Sequence, residues 1–333
     1  MKAARKMNIG FWIPKKDQCN LCAAYAFGNC EEEEYVTHLR RKEEARAEKT
    51  KDKRSCEDDS TVLVVCMDLQ VVLLAPSLLA NASYFKTKLC CHNFTLYDLA
   101  RHDVSCYFWD ETRGDVSSNC FASCICDFIS NVIASQAVDT VILYSDGCGY
   151  QNRNVTLSNS LLHLAMTKQL TIYQKFLEKG HTFMEVDSVH SAIERKLRGR
   201  QIYWPADYIE VMESARTTKA PYVVKNLDYS FFKDFSGLKY YRSIRPGNSV
   251  GEPQVTYIRA LLYTADGQIS YKLHLSDSWS PLPRRPNRGG AAPLTQLYTQ
   301  LRPIKLTKFR DLQQLKHVIP REYHEFYNSL PHQ

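Results

Sequence analysis

Three aspartates sit where carboxylates could do phosphoryl-transfer chemistry. Asp68 lies in "VVCMDLQ", Asp146 ends the apolar run of "LYSDGCGYQNRN", and Asp187 stands in "GHTFMEVDSVHSAIER". Mg²⁺ and Mn²⁺ take oxygen ligands, and two such ions about 4 Å apart can clamp the attacking and leaving oxygens of a phosphodiester. That arrangement needs several carboxylates converging from separate elements. Asp187, His190 and Glu194 are spaced i, i+3 and i+7, so they share one helix face, and Glu194 is an alternative third carboxylate. Asp187 is favoured because it starts the helix and closely follows His181 and Glu185. A single aspartate at a strand end has an ordinary structural reading; three at related places in one fold unit weaken it.

The neighbours of these carboxylates carry weaker signals. His181 and His190 read either as phosphate contacts or proton carriers beside the ions, or as hydrogen-bonded histidines that fix the turn; the second is favoured. Gln151 and Asn152 could touch DNA phosphates or bases, whereas Asn154 reads as a helix cap. Gly147 and Gly149 suit a tight turn with positive φ, and Cys148 between them reads as a packing residue. Cys19 and Cys22 form a C-x₂-C pair that Cys30 or His38 could complete as a zinc site. Cys90, Cys91, Cys120, Cys124 and Cys126 offer no second such pair and are expected in the core.

The elements that must position these groups follow from composition and period. Residues 31–52 mix Glu, Lys, Arg and Ala and predict a solvated helix with little to bury. Residues 61–75 are apolar and β-branched, as in a strand buried on both faces. Two more strands follow in "KTKLCCHNFTLYDLA" and "VSCYFWDET", then a helix over 117–135, the strand "DTVILYSD", a helix, the strand "TIYQKFLE" and a helix ending at Gly199. The order β-β-β-α-β-α-β-α, with the aspartates on the first strand, the fourth strand and the last helix, predicts an α/β fold with an RNase H-like mixed sheet. In open α/β sheets functional groups collect at the carboxyl ends of strands, where Asp146 lies. Three regions are expected: a small Cys-containing N-terminal segment (1–58), the RNase H-like core (59–200) and an α+β extension packed on it (201–333). The extension should contain a hairpin turning at Asp266-Gly267 and a C-terminal helix that docks back.

The motifs "VVCMDLQ", "KTKLCCHNFTLYDL", "CYFWDET", "YSDGCGYQNRN" and "KGHTFMEVDSVHSAIER" together resemble a family of uncharacterised, multicopy arthropod and other metazoan transposable-element proteins. These are similar to DDE/D transposases, and the resemblance covers about residues 10–330. It implies an RNase H-like core with Asp68 and Asp146 as metal ligands and Asp187 or Glu194 as the third. Many transposases of this class place Glu at the third position, so that choice stays open. The implied reaction is metal-dependent DNA cleavage and strand transfer with two Mg²⁺ or Mn²⁺ ions, and the implied partner is DNA, bound by a homo-oligomer. The rival expectations are a catalytically inactive or domesticated binding module and an RNase H-like nuclease.

Bulk properties are compatible with this. The 333 residues carry 43 Lys+Arg against 36 Asp+Glu, a net charge of +7 that suits a polyanionic partner without requiring one. Arg284, Arg285 and Arg288 form an acid-free loop able to neutralise phosphates. Twelve scattered cysteines and a start with no apolar signal core predict a reducing, intracellular and, given DNA, nuclear setting. The apolar runs are too short for a membrane span, so no membrane partner is expected.

Overall fold

Strand β1 (Val62–Leu69) explains the shape of the whole sheet. Leu63, Val65 and Met67 point into one buried cluster and Val64 and Cys66 into another, so both of its faces are covered. A run of apolar residues without alternation is what such a strand requires. The computed structural model describes residues 19–218, 220–283 and 293–333.

The remaining core strands are β2 (Leu73–Ala75), β3 (Leu89–Asp98), β4 (Val104–Asp110), β5 (Thr140–Ser145) and β6 (Thr171–Phe176). β1 pairs antiparallel with β3 and parallel with β5, β3 pairs antiparallel with β4, and β5 pairs parallel with β6. The spatial order β4-β3-β1-β5-β6 is the mixed sheet of an RNase H-like fold. The expected single strand over 61–75 is broken. Leu69 faces Phe94 and Leu73 faces Cys91, so three residues on one side oppose two on the other. The extra residue interrupts the pairing after Leu69, in the manner of a β-bulge, and Val71 and Val72 are turned out to solvent.

Helices cover both faces. On one lie α3 (Ser118–Ser135) and α4 (Val155–Lys168); on the other lie α2 (Glu32–Asp58), α5 (Glu185–Leu197) and α6 (Asp207–Glu213), while the short α1 (Asn20–Ala26) precedes α2. The C-terminal region is not a separate layer. Its strand β7 (Val223–Asn226) pairs with β4 at one edge of the sheet, and the hairpin strands β9 (Ala260–Tyr263) and β10 (Ile269–Lys272) extend the other edge from β6; the two-residue β8 (Lys233–Asp234) lies outside this sheet. The hairpin turns at Gly267, whose φ of +82° a side chain would resist. Helices α7 (Leu306–Leu315) and α8 (His324–Asn328) dock through Leu312, Leu315 and Tyr327 against Leu89.

Helix α2 departs from the expectation of a solvated element. It runs to Asp58, and His38, Ala45, Asp52 and Cys56 are buried on one face. Sequence period hides this face because two of its four buried members are polar. Asp52 is buried for a reason: Lys175 on β6 lies 2.5 Å from both Asp52 and Glu48, and the Tyr144 hydroxyl donates to Asp52. Asp52 and Glu48 are one helical turn apart, so both reach the same ammonium. Removing one member of a buried ion network strands the others. Lys175→Ala is therefore expected to lower stability by about 3 kcal/mol, measured by urea unfolding; a loss under about 1 kcal/mol would show that Glu48 and Asp52 rehydrate without cost.

Candidate functional site: a carboxylate cleft beside a Cys₂His₂ cluster

The parallel pairing of β1 and β5 puts two aspartates side by side. Cys66 faces Tyr144 in the register, and Asp68 and Asp146 each stand two residues further along. Continuing that register past the last paired residues would bring them side by side at the carboxyl ends of adjacent strands. Asp187 sits in the first turn of α5, where its Oδ2 accepts from the Met184 amide at 2.9 Å. All three carboxylates line one cleft of about 550 Å³, whose remaining wall includes Lys179, Gly180, Thr182, Phe183, Met184 and Ser188. Glu194 does not line it and is exposed two turns further along the helix.

Asp68 senses this company. Burial, reinforced by the Asp146 carboxylate and more weakly by Asp187, pushes its pKa up to about 7. Loss of water and the nearby carboxylates both disfavour the charged form, so the neutral acid persists further up the pH scale than at an exposed aspartate. The three carboxylates are not drawn as tightly as ligands of one ion would be. Among the described residues, the side chains able to hold a metal within 4.8 Å of one another are a different set, described below. Two ions need a wider cradle than one.

Asp146 is held from behind by the motif that follows it. Its Oδ1 accepts from the Asn152 side chain at 2.9 Å and from the Cys148 amide at 3.1 Å. Gln151 and Asn152 are buried, which gives Asn152 the work of orienting Asp146 rather than reaching out to a phosphate. Gly147 and Gly149 are not among the residues with positive φ. Gly147 is small for another reason: a Cβ there would lie 2.3 Å from Nη2 of the buried Arg153, which stacks on Phe176 and donates to Thr256. Asn154 caps α4, accepting from the Leu157 amide at 2.9 Å. His190 is buried with Nε2 3.1 Å from the Thr95 hydroxyl, and burial lowers its pKa to about 4. It is a neutral histidine wedged between α5 and β3. Arg284, Arg285 and Arg288 lie outside the described residues.

The cysteine pair finds His38, which spacing had offered, and a second partner that spacing did not name. Cys19, Cys22, His38 and His181 bring one ligand atom each within 4.8 Å of one another. Cys19 Sγ lies 3.3 Å from His38 Nε2, and Cys22 Sγ lies 3.2 Å from His181 Nε2. Tetrahedral zinc with two sulfur and two nitrogen ligands spaces them about 3.5 Å apart, so this Cys₂His₂ cluster could hold a metal such as zinc. Cys30 is not a member: its thiol turns to Glu34 and the Glu31 carbonyl beyond the end of α1. His181 takes that place, delivered by the loop between β6 and α5. Behind the cluster, Glu178 meets His38 Nδ1 at 3.2 Å and Arg259 at 2.9 Å, the carboxylate backing that orients a ligating imidazole. Cys91, Cys120 and Cys124 are buried, Cys90 and Cys126 partly so, and all twelve cysteines are free of disulfides.

The raised pKa of Asp68 fixes the sign of a stability effect. Between about pH 4 and pH 7 the folded chain keeps a proton on Asp68 that the unfolded chain has lost, so this residue subtracts stability as pH rises. Asp68→Asn should therefore be more stable than wild type at pH 8 by about 2–4 kcal/mol, with the gap closing near pH 4. Denaturant titrations at the two pH values check this, and equal stability at pH 8 would contradict the burial of charge at Asp68.

Among the described residues no helix is long and apolar enough to cross a membrane. A family model described as a domain of unknown function, DUF7869, matches residues 95–236, which include Asp146, His181 and Asp187 but not Asp68 or the N-terminal ligands. No curated protein and no solved structure matches the chain.

Proposed function

We propose that this chain is a metal-dependent phosphoryl-transfer enzyme that cuts and joins DNA strands, in the manner of a transposable-element transposase. The observation that carries the reading is the shared cleft of Asp68, Asp146 and Asp187, in which burial, reinforced by the neighbouring carboxylates, raises the Asp68 pKa to about 7. The donor set suits Mg²⁺ or Mn²⁺, since it consists of hard carboxylate oxygens. A pair of such ions, when bound, supplies the charge that activates the attacking oxygen and stabilises the leaving one.

The residues of the chain do the rest. Asp68 and Asp146 would hold the cations at the sheet end, and Asp187 would close the cleft from α5. Asn152 and the Cys148 amide keep the Asp146 carboxylate in one orientation. Lys179, on the cleft wall, is suited to meet a phosphate of the DNA backbone. Asp68 must release its proton to receive a cation, so Mn²⁺ affinity should fall as pH drops through about 7. On this reading the protein works on DNA in the nucleus, as an oligomer.

The test is nicking of labelled duplex DNA in Mn²⁺. Asp146→Asn should lose at least roughly 100-fold in rate, because metal-borne charge stabilisation is worth several kcal/mol. Asn152→Ala should lose about 10- to 100-fold through misorientation of Asp146, and Glu194→Ala should be unchanged. Equal rates for wild type and Asp146→Asn would remove the carboxylate mechanism. Salt-dependent DNA binding without nicking would identify a binding module, and faster cleavage of RNA–DNA hybrids a nuclease.

A further inference from the structure

We infer that the Cys19, Cys22, His38 and His181 cluster is a structural zinc centre whose loading holds one wall of the carboxylate cleft in place. The zinc assignment stands on the cluster alone, while the consequence for strand cutting rests on the function proposed above.

The argument begins with where the four ligands come from. Cys19 and Cys22 flank the start of α1, His38 lies on α2, and His181 is in the β6–α5 loop. The ligand set thus joins two parts of the chain that are far apart in sequence. Residues 179, 180 and 182–184 of that loop line the cleft, so His181, which does not line it, is flanked on both sides by residues that do. A metal bound by His181 is one residue from two of the groups that shape the cleft.

The backbone is built for this approach. Gly180 has φ of +79°, and a Cβ there would lie 2.9 Å from Cys19 Cβ and 3.0 Å from its Cα. Only glycine lets the loop come this near the C-x₂-C turn. Glu178 just before it meets His38 Nδ1, leaving Nε2 of that ring directed toward the thiols. At the far end of the loop Lys49 binds the Phe183 carbonyl at 3.2 Å and Glu185 at 2.6 Å. The loop is pinned at both ends by ion pairs to α2 and to Arg259. Between those pins, the loop meets α1 and α2 through the cluster, through a long thiol contact from Cys19 to the Lys179 carbonyl at 3.9 Å, and through the Arg46 guanidinium over the Phe183 ring.

Two soft thiolates and two imidazoles at tetrahedral spacing select zinc over Mg²⁺ or Mn²⁺, which prefer oxygen. With four protein ligands the site has no open position, as befits a structural metal and not a catalytic one. The two metal classes are thereby kept in separate pockets that share a loop.

The experiment uses the full chain purified from zinc-supplemented culture. Zinc content measured by atomic absorption should be about one ion per chain in wild type and in Cys30→Ser, and near zero in Cys22→Ser and His181→Ala. Replacement with Co²⁺ should give the intense visible bands of a tetrahedral thiolate site in wild type and Cys30→Ser but in neither ligand variant. Hydrogen exchange read by mass spectrometry should then speed up roughly tenfold or more over residues 177–184 when zinc is chelated, with the amides of β1, β5 and β6 unaffected. Absence of zinc in wild type together with no tetrahedral cobalt spectrum overturns the site. Zinc binding with unchanged exchange over 177–184 overturns the coupling. Zinc loading and loop protection as expected, but no nicking by the loaded wild type, leaves this inference intact and counts against the proposed strand-cutting function alone.

Discussion

The structure turns on a parallel register. Because β1 and β5 run side by side in the same direction, their carboxyl ends open on one edge of the sheet, and Asp68 and Asp146 follow the paired positions by the same two residues. Two carboxylates in neighbouring rows of a half-buried edge repel each other and lose water. The fold tolerates the result by keeping Asp68 protonated up to about pH 7. Stability is given up at this edge of the cleft as the pH rises.

Everything around that edge serves to hold it still. The break after Leu69 ends the pairing of β1 with β3 and turns Val71 and Val72 out to solvent. Arg153, packed where Gly147 has no side chain, and Asn152, bonded to the Asp146 carboxylate, form a buried polar base for the β5–α4 turn. On the opposite side α2 is fastened to the sheet by Lys175 and to the β6–α5 loop by His38, Glu178 and Lys49. One long helix therefore connects the sheet core, the thiol–imidazole cluster and the start of α5 at Glu185.

Much of this was legible in the residues. Apolar runs that bury both faces announced β1 and β5, turn residues marked their ends, and the i, i+3, i+7 spacing on α5 pointed to a helix face with a carboxylate at its start. The element order carried the RNase H-like topology, because short connections leave few ways to arrange such strands. The buried face of α2 was not legible. Its buried members include His38 and Asp52, which count as polar in any periodicity, and their partners Glu178 and Lys175 lie on the other side of the molecule's chain order. Charge that is paired in three dimensions looks solvated in one.

The metal-binding cluster separates the two kinds of information. Local spacing determined that Cys19 and Cys22 face the same way, since C-x₂-C at a helix start brings two thiols to one turn. It offered Cys30 and His38 as companions because they are near in sequence. The tertiary structure kept His38 and replaced Cys30 with His181, since the loop after β6 folds back over α1 and the φ of Gly180 allows backbone to touch Cys19. The same holds for the carboxylates: composition and period determined that each aspartate ends or begins an element, whereas their sharing one cleft, and the exclusion of Glu194 from it, depended on strand register and helix placement. Local sequence sets the conformation of a turn; which distant turn meets it is set by how the layers pack.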